Sequence, residues 1–259
     1  MGVLDQILTK KRAELPELRT RKWPAPPSWV PVVDLKRRAE DGLHLICEIK
    51  HKSPSAGELS TQLSVKERAQ VYENGGADMI SVLCDTPFFG GAYDHLLEAR
   101  SGCALPLLCK EFVIDECQLD AAQSCGASAV LLIVRCLDDP NLERLIQGAA
   151  QRSLVPLVEV FTEQEAQRAL EAGATFIGVN ARDLDTLHMD VSRASRIISG
   201  MAPHITVAHL SGIKSQSSLA EVRKGRADAA LIGEVLMKLD DPAKTLRDLA
   251  QAAKSSSFR

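Results

Sequence analysis

The chain has 259 residues and a formal net charge of −3, and only 4% of its residues are aromatic. Such a small net charge gives no global field that would favour nucleic acid or a membrane surface, and apolar runs of about six residues are too short to cross a bilayer. The seven cysteines contain no C-x-x-C pair, which argues against a disulfide framework or a zinc ribbon and predicts a cytoplasmic protein with free thiols.

Residues 1–42 precede a repeating pattern and are predicted to form an N-terminal helical extension followed by a Pro-rich linker. Leu4, Ile7 and Leu8 share one helical face, whereas Lys10–Arg12 are expected on a solvated face. The segment RKWPAPPSWVP carries four prolines, which favour an extended conformation. The extension could cap one end of the domain that follows, or it could form an arm beside its active-site mouth.

From residue 43 to residue 254 the chain repeats one unit eight times: a short apolar segment, a polar loop and an amphipathic helix. The predicted strands are Leu45–Lys50, Met79–Cys84, Leu105–Phe112, Ala129–Val134, Val155–Val160, Phe176–Asn180, Ile205–Leu210 and Ala229–Glu234. Strands that alternate with helices predict a parallel sheet, and a closed barrel of eight such units needs about 250 residues. The sequence therefore predicts one α/β domain over residues 1–259, a (β/α)8 TIM barrel with the N-terminal helical extension.

Charged residues interrupt three of the predicted strands. Glu48 and Lys50 are two positions apart on the first strand, so both should point into the barrel. Lys110 ends the third apolar run, and Glu159 lies inside the fifth. Buried charges are costly unless they are paired or functional, so these residues are either structural ion pairs or catalytic groups. They can converge only if the barrel closes.

Polar and glycine residues follow the last three strands. Asn180 and Arg182 follow the sixth strand, Gly212 the seventh and Gly233 the eighth. Glycines after strands seven and eight are typical of the phosphate site of such barrels, although each could be an ordinary turn glycine. Phenylalanines at two loop positions (89 and 112) could pack in the core or line an apolar pocket for a ring.

Eight motifs, in order and over nearly the whole chain, resemble the indole-3-glycerol phosphate synthase family. They are EIKHKSPSAG, SVLCDTPFFGG, LLCKEFVID, AVLLIV, PLVEVF, IGVNARDL, LSGI and LIGEVLM. The resemblance implies a lyase of tryptophan biosynthesis that closes an indole ring on 1-(2-carboxyphenylamino)-1-deoxyribulose 5-phosphate, with loss of CO2 and water. It implies a small phosphorylated substrate and no metal or organic cofactor, and we expect a monomer or weak homodimer.

The resemblance also implies roles for individual side chains. Lys110 would protonate the substrate carbonyl during ring closure, and Glu159 would be its acid/base partner in the dehydration. Lys50 would steer the anthranilate carboxylate or assist proton transfer, Glu48 would orient the lysines and the substrate amine, and Asn180 would hold the sugar hydroxyls. The implied phosphate ligands are Ser55, Arg182, Ser211, Gly212 and Gly233. The implied ring pocket consists of Phe89, Phe112, Leu131 and Ile133.

The sequence departs from the family pattern after the seventh strand. The usual A-E-S-G is replaced by the segment 208–212, AHLSG, so the family glutamate corresponds to Leu210 without a gap or to His209 with a one-residue bulge. Neither residue is a carboxylate. Two alternatives therefore stand beside the synthase: a divergent paralogue acting on a modified aryl-amino sugar phosphate, and a non-catalytic phosphate-binding homologue.

Overall fold

A computed structural model describes residues 2–37, 42–53 and 57–254, and its centre is a closed barrel of eight parallel strands. Each strand pairs with the next along the chain, and the last pairs with the first. The prediction of a (β/α)8 barrel is therefore confirmed. The strands are β1 His44–Ile49, β2 Met79–Leu83, β3 Leu107–Lys110, β4 Ala129–Ile133, β5 Val155–Val160, β6 Phe176–Asn180, β7 Thr206–Leu210 and β8 Ala229–Ile232.

The helices alternate with the strands, and several begin at a side chain that caps the first turn. Ser64, for example, accepts a hydrogen bond from the backbone of Glu67 at the start of the second helix. A pair of two-residue strands, Lys52–Ser53 and Gly57–Glu58, follows β1. The helices are α1 Val3–Thr20, α2 Val65–Asn74, α3 Thr86–Phe89, α4 Asp94–Gly102, α5 Glu116–Ser124, α6 Asp139–Gln151, α7 Glu163–Glu171, α8 Val191–Ser199, α9 Gln216–Lys224, α10 Glu234–Met237 and α11 Ala243–Lys254.

The strand side chains alternate between two buried layers. Residues such as Ile46, Leu108 and Leu157 fill the barrel interior. Residues one position away on the same strands, such as Cys47, Cys109 and Val158, lie between the barrel and the helices. This alternation decides which polar side chains of a strand reach the interior.

The N-terminal helix α1 packs across the mouth of the barrel. Leu4, Ile7 and Leu8 are buried in the same cluster as the interior residues, so α1 lies at the mouth of the barrel. The prediction that Lys10–Arg12 are all solvated is wrong for Lys11, whose side chain is only 3% exposed. Among the described helices none has the length and apolar character needed to cross a membrane.

Candidate active site

A cavity of about 370 Å³ opens at the carboxyl ends of the strands, under α1. This is the end at which barrels of this kind carry their chemistry. Every predicted site residue that the structure describes lines this cavity, whereas Ser55 lies outside the described residues. Those lining residues are Glu48, Lys50, Phe89, Lys110, Phe112, Leu131, Ile133, Glu159, Asn180, Arg182, Ser211, Gly212 and Gly233.

Lys110, Glu159 and Asn180 come from three different strands and meet in the cavity. Lys110 Nζ lies 3.7 Å from Glu159 Oε2, and Asn180 Nδ2 donates a 2.9 Å hydrogen bond to Glu159 Oε1. The Glu159 side chain is only 3% exposed. Asn180 thus fixes one carboxylate oxygen and leaves the other facing an ammonium, which is an arrangement suited to proton transfer.

Glu48 and Lys50 form the second charged pair of the cavity. Lys50 Nζ donates a 2.7 Å hydrogen bond to Glu48 Oε1, while Glu48 Oε2 is buried without a hydrogen-bond partner in the described part of the chain. Burial favours a raised pKa for Glu48, but Lys50 and Lys110 outweigh it, so this pKa lies below its ordinary value. Glu48 is therefore an ionised carboxylate, and its second oxygen has no hydrogen-bond donor among the described residues.

The carboxyl ends of β6, β7 and β8 form another side of the cavity. Ser211 (φ +68°) and Gly212 (φ +88°) both adopt left-handed backbone conformations, which turn the chain sharply after β7. A Cβ on Gly212 would also lie 2.8 Å from the Met189 side chain. Arg182 lies in the loop after β6, where its backbone N–H donates a 2.9 Å hydrogen bond to Asn180 Oδ1. This side of the cavity carries the Arg182 guanidinium, the Ser211 hydroxyl and, at Gly212, a backbone that a ligand can approach closely.

The apolar side of the cavity contains two aromatic rings and the interior of the barrel. The ring centroids of Phe89 and Phe112 are 6.1 Å apart, and Leu131 and Ile133 lie in the same buried cluster as Phe112. Val3 of α1 also lines the cavity. A flat apolar group can be accommodated here.

The structure shows which side chain at the end of β7 faces the cavity. Leu210 belongs to the interior cluster and lines the cavity. His209 pairs with Val179 and Ala230, which both lie in the layer between the barrel and the helices. Burial lowers the pKa of His209 to about 4, so this side chain is neutral at pH 7. The pairing of β6 with β7 is continuous, so the alternative that requires a one-residue bulge is wrong, and Leu210 rather than His209 lines the cavity.

A buried charge cluster at the edge of the cavity was not predicted from the sequence. Lys11 Nζ lies 2.8 Å from Asp85 Oδ1 and 3.1 Å from Glu111 Oε1. The third strand ends at Lys110, shorter than predicted, so Glu111 lies at the start of the loop after β3. One signal was present: Lys11 is seven residues after Leu4 and therefore lies on the buried stripe of α1. In the described ranges no group of three or more His, Cys, Asp or Glu residues could hold a metal ion.

The family model of indole-3-glycerol phosphate synthase matches residues 4–249 of this chain. The chain belongs to the indole-3-glycerol phosphate synthase family. It is 39% identical to the indole-3-glycerol phosphate synthase of Mycolicibacterium smegmatis, over 96% of this chain and 94% of that protein. It is 38% identical to indole-3-glycerol phosphate synthase 1 of Streptomyces coelicolor, over 100% of this chain and 98% of that protein. The family resemblance predicted from the motifs is confirmed.

Solved structures of other enzymes share the fold. Thiamine phosphate pyrophosphorylase from Pyrococcus furiosus superposes with a TM-score of 0.62 at 18% identity, covering 83% of this chain and 98% of that chain. 3-Hexulose-6-phosphate synthase from Salmonella typhimurium gives a TM-score of 0.65 at 16% identity, covering 82% and 98%. These similarities concern the fold alone.

Family membership supports the decarboxylating synthase activity and favours neither alternative.

Proposed function

We propose that this protein converts 1-(2-carboxyphenylamino)-1-deoxyribulose 5-phosphate to indole-3-glycerol phosphate in the cavity at the barrel mouth. The observation that carries the proposal is the convergence of Lys110, Glu159 and Asn180 with the Glu48–Lys50 pair. Decarboxylative ring closure needs a proton donor at a carbonyl and an acid/base group for the later steps, and both are present within one cavity.

The substrate is proposed to span the cavity from a polar end to an apolar end. At the polar end Arg182 and Ser211 would bind the phosphate, together with backbone N–H groups at Gly212 and Gly233. Ser55 stays a predicted additional ligand. At the apolar end the anthranilate ring would lie in the pocket of Phe89, Phe112, Leu131 and Ile133.

Ring closure is proposed to depend on Lys110. The ring carbon that bears the carboxylate forms a bond to the carbonyl carbon, and Lys110 Nζ gives its proton to the carbonyl oxygen. The bond to the carboxylate then breaks, CO2 leaves, and the electron pair restores the aromatic ring. Lys50 would hold the departing carboxylate, and Glu48 would orient Lys50 and the substrate amine through its two oxygens.

Dehydration is proposed to depend on Glu159. The new hydroxyl leaves as water when protonated Glu159 gives it a proton, and the resulting Glu159 carboxylate accepts the proton lost from the carbon between the nitrogen and the former carbonyl. Asn180 would hold the Glu159 carboxyl group and the sugar hydroxyls in fixed positions relative to each other. Because every step is a proton transfer or a shift of an electron pair, we propose that neither a metal nor an organic cofactor takes part.

Gly233→Ala is expected to lower kcat/KM by about 10- to 100-fold, since a misplacement of about 1 Å can cost that much. A Cβ at this position would lie 2.6 Å from Glu48 Oε1, the atom that accepts from Lys50. Steady-state kinetics would measure the effect. Gly200→Ala is the matched control because its Cβ would meet nothing closer than 3.6 Å. Wild-type kinetics in Gly233→Ala would contradict the role of Glu48.

Complementation tests the proposed activity in a cell. A bacterial strain that lacks indole-3-glycerol phosphate synthase should grow without tryptophan when it expresses this chain, and should not grow when it expresses Lys110→Met at the same level. Failure of the wild-type chain, expressed in the soluble fraction, would contradict the proposal. A cytoplasmic location and a monomeric or weakly dimeric state stay predictions that fractionation and analytical ultracentrifugation can check.

A further inference from the structure

Lys11 is a buried cation of α1 that points towards the barrel mouth. It lies on the same face as Leu4 and Ile7, and its side chain is 3% exposed. An ammonium in such a place is destabilising unless carboxylates surround it. Two of its carboxylate partners, Asp85 and Glu111, are themselves buried. A third partner, Glu14 of α1, lies 2.9 Å away and is partly exposed.

The two buried carboxylates also hold the backbone of the aromatic pocket. Asp85 contacts Lys11 through Oδ1, while its Oδ2 accepts hydrogen bonds from the N–H groups of Phe88 (2.8 Å) and Phe89 (3.1 Å). Glu111 Oε1 accepts a 2.7 Å hydrogen bond from the N–H of Phe112. Asp85 therefore connects the ammonium of Lys11 to the backbone of Phe89, and Glu111 connects it to the backbone of Phe112.

Lys11 also compensates the charges of the two carboxylates. Burial raises the pKa of Glu111 to about 7; Lys11 opposes this shift, and the nearby Asp85 adds to it. Burial acts to lower the pKa of Lys11, but Glu111 and Asp85 outweigh it, so this pKa is raised. Without the ammonium the pKa of Glu111 would rise further, so Glu111 would take up a proton, and we expect the contacts of both carboxylates to rearrange.

We infer that Lys11 is a positioning residue for the aromatic pocket: it ties the N-terminal helix to the carboxylates that hold Phe89 and Phe112. The inference rests on the proposed function, since the pocket is taken to bind the anthranilate ring. Lys11 itself does not line the cavity, so it acts on the substrate through the pocket rather than by contact. Its loss should therefore weaken binding more than it slows the chemistry.

Lys11→Met tests this inference, because methionine keeps the length of the aliphatic stem and removes the charge. We expect KM to rise about tenfold while kcat stays within about threefold, since ring contacts are made in the ground state and the transition state alike. Lys10→Met is the matched control: Lys10 is the neighbouring residue of the same helix, and its side chain is exposed. It should keep wild-type KM and kcat.

A second variant and a second readout make the result decisive. If Lys11→Met does not fold, Glu111→Gln should still fold, because Lys11 then retains its contacts with Asp85 and Glu14. The KM of Glu111→Gln should rise about threefold. Calorimetric titration with indole-3-glycerol phosphate reports binding without turnover. If the wild type bound this ligand but turned over no substrate, the proposed function would fail, and the Kd values of the variants would still test the inference.

Three outcomes would overturn the inference. One is a folded Lys11→Met with the KM and Kd of the wild type. Another is a fall in kcat at unchanged KM, which would show that the substitution only reduces the fraction of the protein that is active. The last, if Lys11→Met does not fold, is a wild-type KM in Glu111→Gln. A rise in KM and Kd in Lys11→Met, absent from Lys10→Met, would support it.

Discussion

Replacing Lys110 with methionine is expected to lower kcat by about 10²- to 10⁴-fold, the contribution typical of a positioned general acid. Lys110 lies at the carboxyl end of β3 with its ammonium 3.7 Å from Glu159, and ring closure has no other assigned proton donor. Methionine fills a similar volume without carrying a proton. Steady-state kinetics over a range of pH would measure the loss, and single-turnover CO2 release should fall equally.

The control for this substitution is Lys244→Met, which changes a lysine that is 85% exposed on α11. It should leave kcat unchanged. Retention of more than about a tenth of the wild-type kcat in folded Lys110→Met would be too small a loss for a general acid. Another group would then have to protonate the carbonyl, and Lys50 is the other lysine that the proposed mechanism places beside the substrate.

Glu159→Gln is expected to lower the rate of indole formation by about 10²- to 10⁴-fold, because glutamine cannot exchange the proton that dehydration requires. The amide oxygen can still accept the hydrogen bond from Asn180, so the geometry should be retained. Since CO2 leaves before dehydration, single-turnover CO2 release should be much less affected than the appearance of indole fluorescence. This difference separates Glu159→Gln from Lys110→Met.

Glu171→Gln provides the matched control, because Glu171 is an exposed residue at the end of α7. It should have wild-type rates for both signals. Equal losses of CO2 release and indole formation in Glu159→Gln would assign Glu159 to ring closure instead. Wild-type indole formation would remove Glu159 from the chemistry altogether.

The barrel and its charged residues could be predicted from sequence because both depend on short-range patterns. Repeated apolar runs between amphipathic helices specify parallel strands, and polar residues inside such runs stand out. Glu48 and Lys50 share a face because strand side chains alternate, and in the structure both line the cavity of the barrel. Glu159 was recognisable as a single carboxylate within an apolar strand.

Lys11 could not be assigned from sequence because its partners are distant along the chain. It lies in a run with Lys10 and Arg12, both exposed, and its neighbours therefore suggested a solvated face. Its burial follows from tertiary contacts with Asp85 and Glu111, at the ends of two different strands. Helical spacing alone indicated that Lys11 follows Leu4 on the buried stripe, but spacing does not identify a partner.

The register after β7 also needed the structure. A shift of one residue exchanges the faces of a strand, so the sequence allowed either His209 or Leu210 at the cavity. Continuous pairing of Phe176–Asn180 with Thr206–Leu210, without a bulge, puts Leu210 inside. The cavity therefore has the apolar Leu210 at the end of β7, and Glu159 is the carboxylate to which the proposed acid/base chemistry is assigned.

The most direct test of this account is fluorescence-detected formation of indole-3-glycerol phosphate by the purified protein from 1-(2-carboxyphenylamino)-1-deoxyribulose 5-phosphate. We expect multiple turnovers by the wild type and the release of one CO2 for each indole formed. Lys110→Met should lower both rates by about 10²- to 10⁴-fold. Tight binding of indole-3-glycerol phosphate without any turnover of the precursor would contradict the account, because the fold and the phosphate site would then be present without the chemistry.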